Sequence, residues 1–252
     1  MVSDFEQFDQ QRREITQKMC QDDRFQSLRK DWFAISVDHK YCYNFDWMGM
    51  PIIQYPQDIM AMQEIIWHVR PEMIIETGIA RGGSIVFYAS MLELFGIDGT
   101  VVGIDIEIRP WNKQRILSHP VSHRIRMIEG SSVNLDVVKQ VYQMAGGSSN
   151  VMVVLDANHS YESVRHELQL YSPLVSVGSY IVVFDTVSDD LPDELWRQKD
   201  SKTGLLSGGQ GNGPKKAVHE FVQNNDAFII DKSIQNKLQI TSAPDGYLKR
   251  IK

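Results

Sequence analysis

Hydrophobic positions in this chain follow two rhythms. From residue 73 onward, short unbroken apolar runs alternate with stretches in which apolar residues recur every three or four positions. The runs are 73–76, 100–106, 125–129, 151–156 and 180–185. None alternates apolar with polar, so each reads as a strand covered on both faces. The periodic stretches at 83–94, just after Pro110, at 133–144 and at 160–171 read as helices. Repeated strand–helix units require right-handed crossovers and a parallel sheet. The expected fold class is therefore α/β, with a mostly parallel sheet and helices on both faces.

The flanks follow different rules. Residues 3–30 carry a thin stripe of Phe5, Phe8, Ile15, Met19, Phe25 and Leu28 at roughly helical spacing. They predict an N-terminal helical arm over 1–40, either packed on the main domain or a second copy or left in solvent. The main domain is then 41–252. Segment 41–58 is aromatic and interrupted by Gly49, Pro51 and Pro56; it either covers a ligand or plugs the underside of the sheet. Asp58 reads as the N-cap of a helix through Ile59, Met62, Ile65, Ile66 and Val69. Residues 186–214, rich in glycine near their end, read as a lid, since a structureless run of that length in a compact domain is usually functional. A helix at 215–223 and a last strand pair at 228–230 and 237–241, the second strand antiparallel, complete the pattern.

The stretch around which this is organised is Ile74-Ile75-Glu76-Thr77-Gly78-Ile79-Ala80-Arg81-Gly82-Gly83-Ser84. A strand ending in an acid, a glycine-rich turn and a helix N-terminus form the build of a nucleotide-type site. Glu76 would repel a pyrophosphate. A ligand with an amine and a hydroxylated ribose, such as S-adenosylmethionine, fits better; the plainer alternative is a solvated acid on an ordinary turn. Ligands in open α/β sheets lie beyond the carboxyl ends of the strands. Asp105, about 29 residues after Glu76, is placed to accept ribose hydroxyls. Small Ser131 and Ser132 follow the third strand, where a flat base can approach. Asp156 and Asp185 end the fourth and fifth strands. Two such carboxylates facing one cleft need a proton or a cation between them, and oxygen ligands suit Mg²⁺. His159 is either a general base for a substrate hydroxyl or the cap of the next helix.

Composition narrows the classes. A net charge of −6 argues against nucleic-acid binding, which needs clustered Lys and Arg. Cys20 and Cys42 make no disulfide framework, which points to a cytoplasmic setting. No apolar run approaches the roughly 18 residues of a membrane span. The histidines other than His159 are scattered, with no iron facial triad and no zinc cluster. No Gly-Lys-Ser/Thr closes the 208–213 glycines into a Walker loop.

Taken together, Trp47-x-Gly49-x-Pro51-Ile52-Ile53-Gln54, Pro56-x-Asp58, Gln63-Glu64, Glu76-Thr77-Gly78-x-x-x-Gly82-Gly83-Ser84, Gly103-x-Asp105-Ile106, Asp156-x-x-His159, Asp185-Thr186 and Ala243-Pro244-Asp245-Gly246-Tyr247-Leu248 resemble the cephalosporin hydroxylase and rhamnosyl O-methyltransferase family over about residues 41–252. The resemblance implies a Rossmann-like class I methyltransferase fold. It also implies S-adenosylmethionine binding at Glu76, Gly78, Gly82, Gly83, Ser84, Asp105 and Ser132. Magnesium-dependent relatives place an aspartate at the end of strand four, a base three residues on, and an acidic pair after strand five. Asp156 and His159 match, and so does Asp185; Phe184 stands where the other acid would be. The resulting expectation is an O-methyltransferase acting on a sugar, polysaccharide or natural-product hydroxyl. In it Asp156 and Asp185 hold Mg²⁺, and His159, with Asp156, is catalytic. Partners are then a small-molecule or glycan acceptor and further copies of the chain, with no nucleic acid and no membrane span. A hydroxylase or hydroxylase partner, and a non-catalytic adenosyl-binding scaffold, are the competing classes.

Overall fold

A computed structural model describes residues 3–191 and 211–252. Its main sheet has seven strands: β3 (Met73–Thr77), β4 (Thr100–Asp105), β5 (Ile125–Glu129), β6 (Val151–Leu155), β7 (Tyr180–Val183), β8 (Phe228–Ile230) and β9 (Tyr247–Arg250). Their order is β5-β4-β3-β6-β7-β9-β8. The five strands from β3 to β7 pair in parallel, whereas β9 is antiparallel to both β7 and β8. A two-stranded antiparallel hairpin, β1 (Phe45–Trp47) with β2 (Met50–Ile52), precedes it. Strand order reverses around β3, whose neighbours are β4 and β6, so the crevice between the β3 and β6 tips is the switch point.

The unbroken apolar runs are explained by the two cores. Ile74, Met152 and Val154 pack on one face with Met62 and Ile66 of α3 (Pro56–Val69) and Ile85, Phe87 and Leu92 of α4 (Gly83–Leu94). Ile75, Val153 and Leu155 pack on the other with Val137 and Val141 of α6 (Leu135–Ala145), Val164 and Leu168 of α7 (Tyr161–Tyr171), and Ala217 and Val218 of α8 (Pro214–Gln223). Successive strand residues serve opposite faces. The same alternation sends Glu76 under α4 and Thr77 towards α7. Helix α5 (Pro110–Leu117) closes the β4 side with buried Ile116, and α9 (Lys232–Leu238) lies between β8 and β9.

Two expectations need correction. Residues 237–241 do not form a strand. Asp231 caps α9 by accepting from the Ser233 amide, and Ile234 and Leu238, four apart, both face the core, so the helix wins and β9 is the antiparallel partner instead. Asp58 does not cap α3, which starts at Pro56. It is wholly buried and accepts hydrogen bonds from Ser242 N at 2.8 Å, Ser242 Oγ at 3.1 Å and Tyr247 Oη at 2.8 Å, and from Thr241 Oγ1. That ties α3 to the loop before β9. Segment 41–58, expected either to cover a ligand or to plug the sheet, packs into the core. Trp47 packs edge-on against Phe87, and Met50 and Ile52 are buried, while Gln54 and Tyr43 approach the crevice.

The arm is two helices, α1 (Asp4–Gln21) and α2 (Asp23–Asp38). Ser3 and Glu6 form a capping box that starts α1. Helix α2 docks on the main domain: Phe33 stacks on Tyr55 at 4.8 Å, Ser36 and Tyr55 share a 2.8 Å hydrogen bond, and Arg29 donates to the Gln239 carbonyl. Helix α1 buries no residue, and Phe5, Phe8 and Ile15 stand exposed. Most of the expected lid, 192–210, lies outside the described residues. Its near end is a short turn (Thr186–Asp190), and Asp189 accepts from the amides of Gly213 and Lys215 to start α8. Among the described residues no helix is long and apolar enough to cross a membrane.

Candidate active site

The glycine turn folds as its residues require. Gly78 and Gly82 have φ of +91° and +87°, a region open to glycine at little cost. A Cβ on Gly78 would lie 2.2 Å from the Asp156 carbonyl oxygen, and one on Gly83 would lie 2.3 Å from that of Pro51. The turn after β3 is thus pressed between the turn after β6 and the end of the hairpin. Asp156 N donates to the Thr77 carbonyl at 2.9 Å, locking the two strand tips together.

Glu76 is not solvated. It is fully buried, and its Oε2 accepts from Ser84 Oγ at 2.6 Å, while Oε1 makes no well-formed hydrogen bond among the described residues. Burial pushes its carboxyl up to about 8, with Ser84 and the nearby Tyr88 hydroxyl opposing the shift and Asp105 adding to it. Asp105 braces the turn: its Oδ2 accepts from the amides of Ile79 at 2.8 Å and Ala80 at 3.0 Å, and its Oδ1 from Glu107 N at 3.2 Å. A carboxylate has about four acceptor positions, so capacity is left for a ribose hydroxyl. Ser132 lies on the other face of the sheet tips, where its carbonyl accepts from Tyr171 Oη at 2.6 Å and its hydroxyl neighbours Glu167.

Across the crevice, Asp156, His159 and Asp185 converge, with one ligand atom from each lying within 4.8 Å of the others. His159 is buried and its Nε2 is 3.3 Å from Asp185 Oδ2. It does not cap α7; Ser160 does, accepting from Ser163 N. Asp185 reaches inward from a left-handed residue at φ +56°. The Asp156 carboxyl is pushed well above the usual range by burial and by the charges of Asp185 and Glu76. Phe184 is packed in the core, so the site has two carboxylates and one imidazole. That oxygen-rich set, with its mutual repulsion, fits a hydrated divalent cation. An iron facial triad takes two histidines and one carboxylate instead.

Several residues escaped the sequence reading as site residues. Gln54, Arg81 and Asp156 share with the glycine turn a narrow slot of about 40 Å³. Tyr88 and Gln54 are buried with polar atoms left unpartnered. Tyr43 lies close enough to feel Asp185 and Arg81; burial pushes its phenol up to about 12, with Cys42 and Asp185 contributing. A signal existed for Tyr88: it stands four residues after Ser84 in an otherwise apolar helix, on the same face.

A family model described as Rhamnosyl O-methyltransferase/CmcI matches residues 39–251. The chain belongs to this family. The rhamnosyl O-methyltransferase of Mycobacterium tuberculosis strain H37Rv is 29% identical over 224 residues, covering 84% of this chain and 83% of its own length. That of Mycobacterium leprae strain TN is 26% identical over 222 residues, with 84% and 88% covered. Among solved structures, CmcI with Mg and SAM superposes with a TM-score of 0.56 at 17% identity, covering 83% of this chain and 78% of that one. The O-methyltransferase TomG from Streptomyces achromogenes gives 0.51 at 18% identity, with 79% of each chain covered. These structures share the fold, and the strand order with its antiparallel β9 is that of a class I methyltransferase.

Proposed function

We propose that this member of the family transfers a methyl group from S-adenosylmethionine to a hydroxyl of a sugar or natural-product acceptor, with a divalent cation, Mg²⁺ first among candidates, at Asp156 and Asp185. One observation carries the reading. A buried acid with an unpartnered oxygen on a glycine turn adjoins an Asp–His–Asp cluster, and the two turns touch backbone to backbone at Gly78 and Asp156. A sulfonium donor and an acceptor hydroxyl are thereby brought to one crevice. When bound, the donor supplies an electrophilic methyl and the cation supplies positive charge beside the acceptor oxygen.

The chain's own residues do the remainder. Glu76 Oε1 would receive the donor's ammonium, and the amide-braced turn would hold the nucleoside with Asp105. His159 Nε2 takes the acceptor's proton as its oxygen attacks. Asp185 Oδ2, 3.3 Å from that nitrogen, is placed to accept the N–H that the transfer creates. Most of the rate then comes from positioning and fixed charge. The relatives' names make a rhamnosyl glycan the first acceptor to try.

Incubation with labelled S-adenosylmethionine, Mg²⁺ and a panel of rhamnosides should yield a product one methylene heavier. Donor binding without transfer to any acceptor would favour the scaffold class. His159→Ala should lower kcat by about 10²- to 10⁴-fold with donor affinity intact; full turnover would remove it as the base. The exposed Phe5, Phe8 and Ile15 support self-association through the arm. A chain beginning at residue 41 should sediment at a smaller assembly mass than the full chain, and equal assembly states would end that idea. The cytoplasm is the setting that suits Cys20 and Cys42, which form no disulfide.

A further inference from the structure

Beneath the glycine turn, polar side chains from four elements stand in a row. Ser84 donates to Glu76. Tyr88, one helical turn past Ser84, brings its hydroxyl to the same acid, and Gln54 lies between Tyr88 and Asp156. The row runs from the donor's turn to the cation's aspartate without reaching bulk water: Glu76 and Tyr88 are 0% exposed and Gln54 is 4% exposed.

The row is short of partners. Glu76 Oε1, Tyr88 Oη and both amide atoms of Gln54 make no well-formed hydrogen bond. These groups lie close enough to interact with one another, yet none closes a bond of good geometry, and one buried polar group left unsatisfied costs about 1–3 kcal/mol. Gln54 lines the slot together with Ser84, Arg81 and Asp156, and the row continues behind it to Tyr88 and Glu76. Their chemistry describes what is missing. Glu76 Oε1 accepts, Tyr88 Oη does either, and the carboxamide offers one acceptor and two donors. At the rim, Arg81 is exposed and has no ion pair among the described residues. Acceptors inside and a cation at the mouth match an α-amino acid zwitterion, ammonium inward and carboxylate outward.

We propose that Gln54, held by Tyr88, is the residue that selects the amino-acid end of the donor. It does so by completing with Glu76 the acceptor shell for the ammonium. The proposal rests on the donor assignment above and adds a determinant from outside the glycine turn, on the segment between β2 and α3. Gln54 acts by binding and takes no part in proton transfer. The same carboxamide faces Asp156, so it also holds the donor's methionine end at a set distance from the acceptor crevice.

The test is calorimetry on the full-length chain, wild type and variants, with two ligands. S-adenosylhomocysteine has the amino-acid end; 5′-methylthioadenosine keeps the nucleoside and thioether but lacks it. Gln54→Met, similar in volume and without the carboxamide, should weaken S-adenosylhomocysteine by about 10- to 100-fold and change methylthioadenosine by less than about twofold. Tyr88→Phe, which removes one oxygen and keeps the packing, should give the same split at about 3- to 10-fold. Equal weakening of both ligands would mean a merely structural residue and overturn the proposal, as would no weakening of either. If Gln54→Met fails to fold, the Tyr88→Phe split decides alone. Tight S-adenosylhomocysteine binding with no split would remove this proposal and leave the methyltransferase reading standing. No binding of either ligand by the wild type would remove both.

Discussion

Gly78 shows how much one hydrogen atom in place of a side chain decides. Its φ of +91° and the 2.2 Å gap that a Cβ would leave to the Asp156 carbonyl are independent obstacles to any other residue. Gly78→Ala should therefore lower stability by about 1–3 kcal/mol. It should also push the β3 and β6 tips apart, weakening S-adenosylhomocysteine by about tenfold or more. Thermal melts and calorimetry would check both, and near-wild-type values would show that the two turns are not mechanically joined. Glu76 teaches a related lesson. Its position at a strand tip was plain in the sequence, but a strand-end acid is ordinarily solvated. Only the helix folded over it, with Ser84 and Tyr88 facing down, makes it a buried group.

At the level of elements, the alternating rhythm of apolar runs and periodic stretches identified β3 to β7 and the helices between them, because a strand covered on both faces leaves a mostly apolar run, as β3, β4, β6 and β7 do; edge strand β5 is interrupted by exposed Arg126. The two ends of the main domain were less legible. Leu238 and Ile240 alternate with polar neighbours as a strand would, and nothing local reveals that Asp231 starts a helix that ends at Leu238. Asp58 was mistaken for a cap since its partners, Thr241, Ser242 and Tyr247, lie more than 180 residues along the chain. This buried acid is what holds α3 to the loop before β9. Asp58→Ala strands several donors and should cost about 3 kcal/mol or more, read as a lower denaturant midpoint with an unchanged slope. A loss under about 0.5 kcal/mol would show that the loop relaxes or admits water at no cost.

For the molecule as a whole, four carboxyls are buried where folding raises them: Asp58 to about 6, Glu167 to about 7, Glu76 to about 8, and Asp156 well above the ordinary range, burial being the largest cause each time. Each binds its proton more tightly folded than unfolded. Their contributions are fully present below the ordinary carboxylate values near 4, and those of the first three are lost as pH rises through 6, 7 and 8 in turn. The ligand-free chain should thus be more stable towards urea at pH 5 than at pH 8, and Glu76→Gln should flatten the upper part of that slope. Stability that rises across the same window would mean that these acids are ionised in the fold. Saturating S-adenosylhomocysteine should shrink the Glu76 part, since an ammonium beside Oε1 favours the carboxylate.

The order of strands and helices, the glycine turn and the Asp156–His159–Asp185 set were written in the chain itself, because backbone conformation, two-sided burial and strand-end position are local properties that residue type and spacing report. Which acids are buried, which polar groups lack partners and where Gln54 and Tyr88 meet were decided by tertiary packing alone. Those depend on segments distant in sequence coming to lie over the same strand tips, and no local pattern encodes the water that their contact removes.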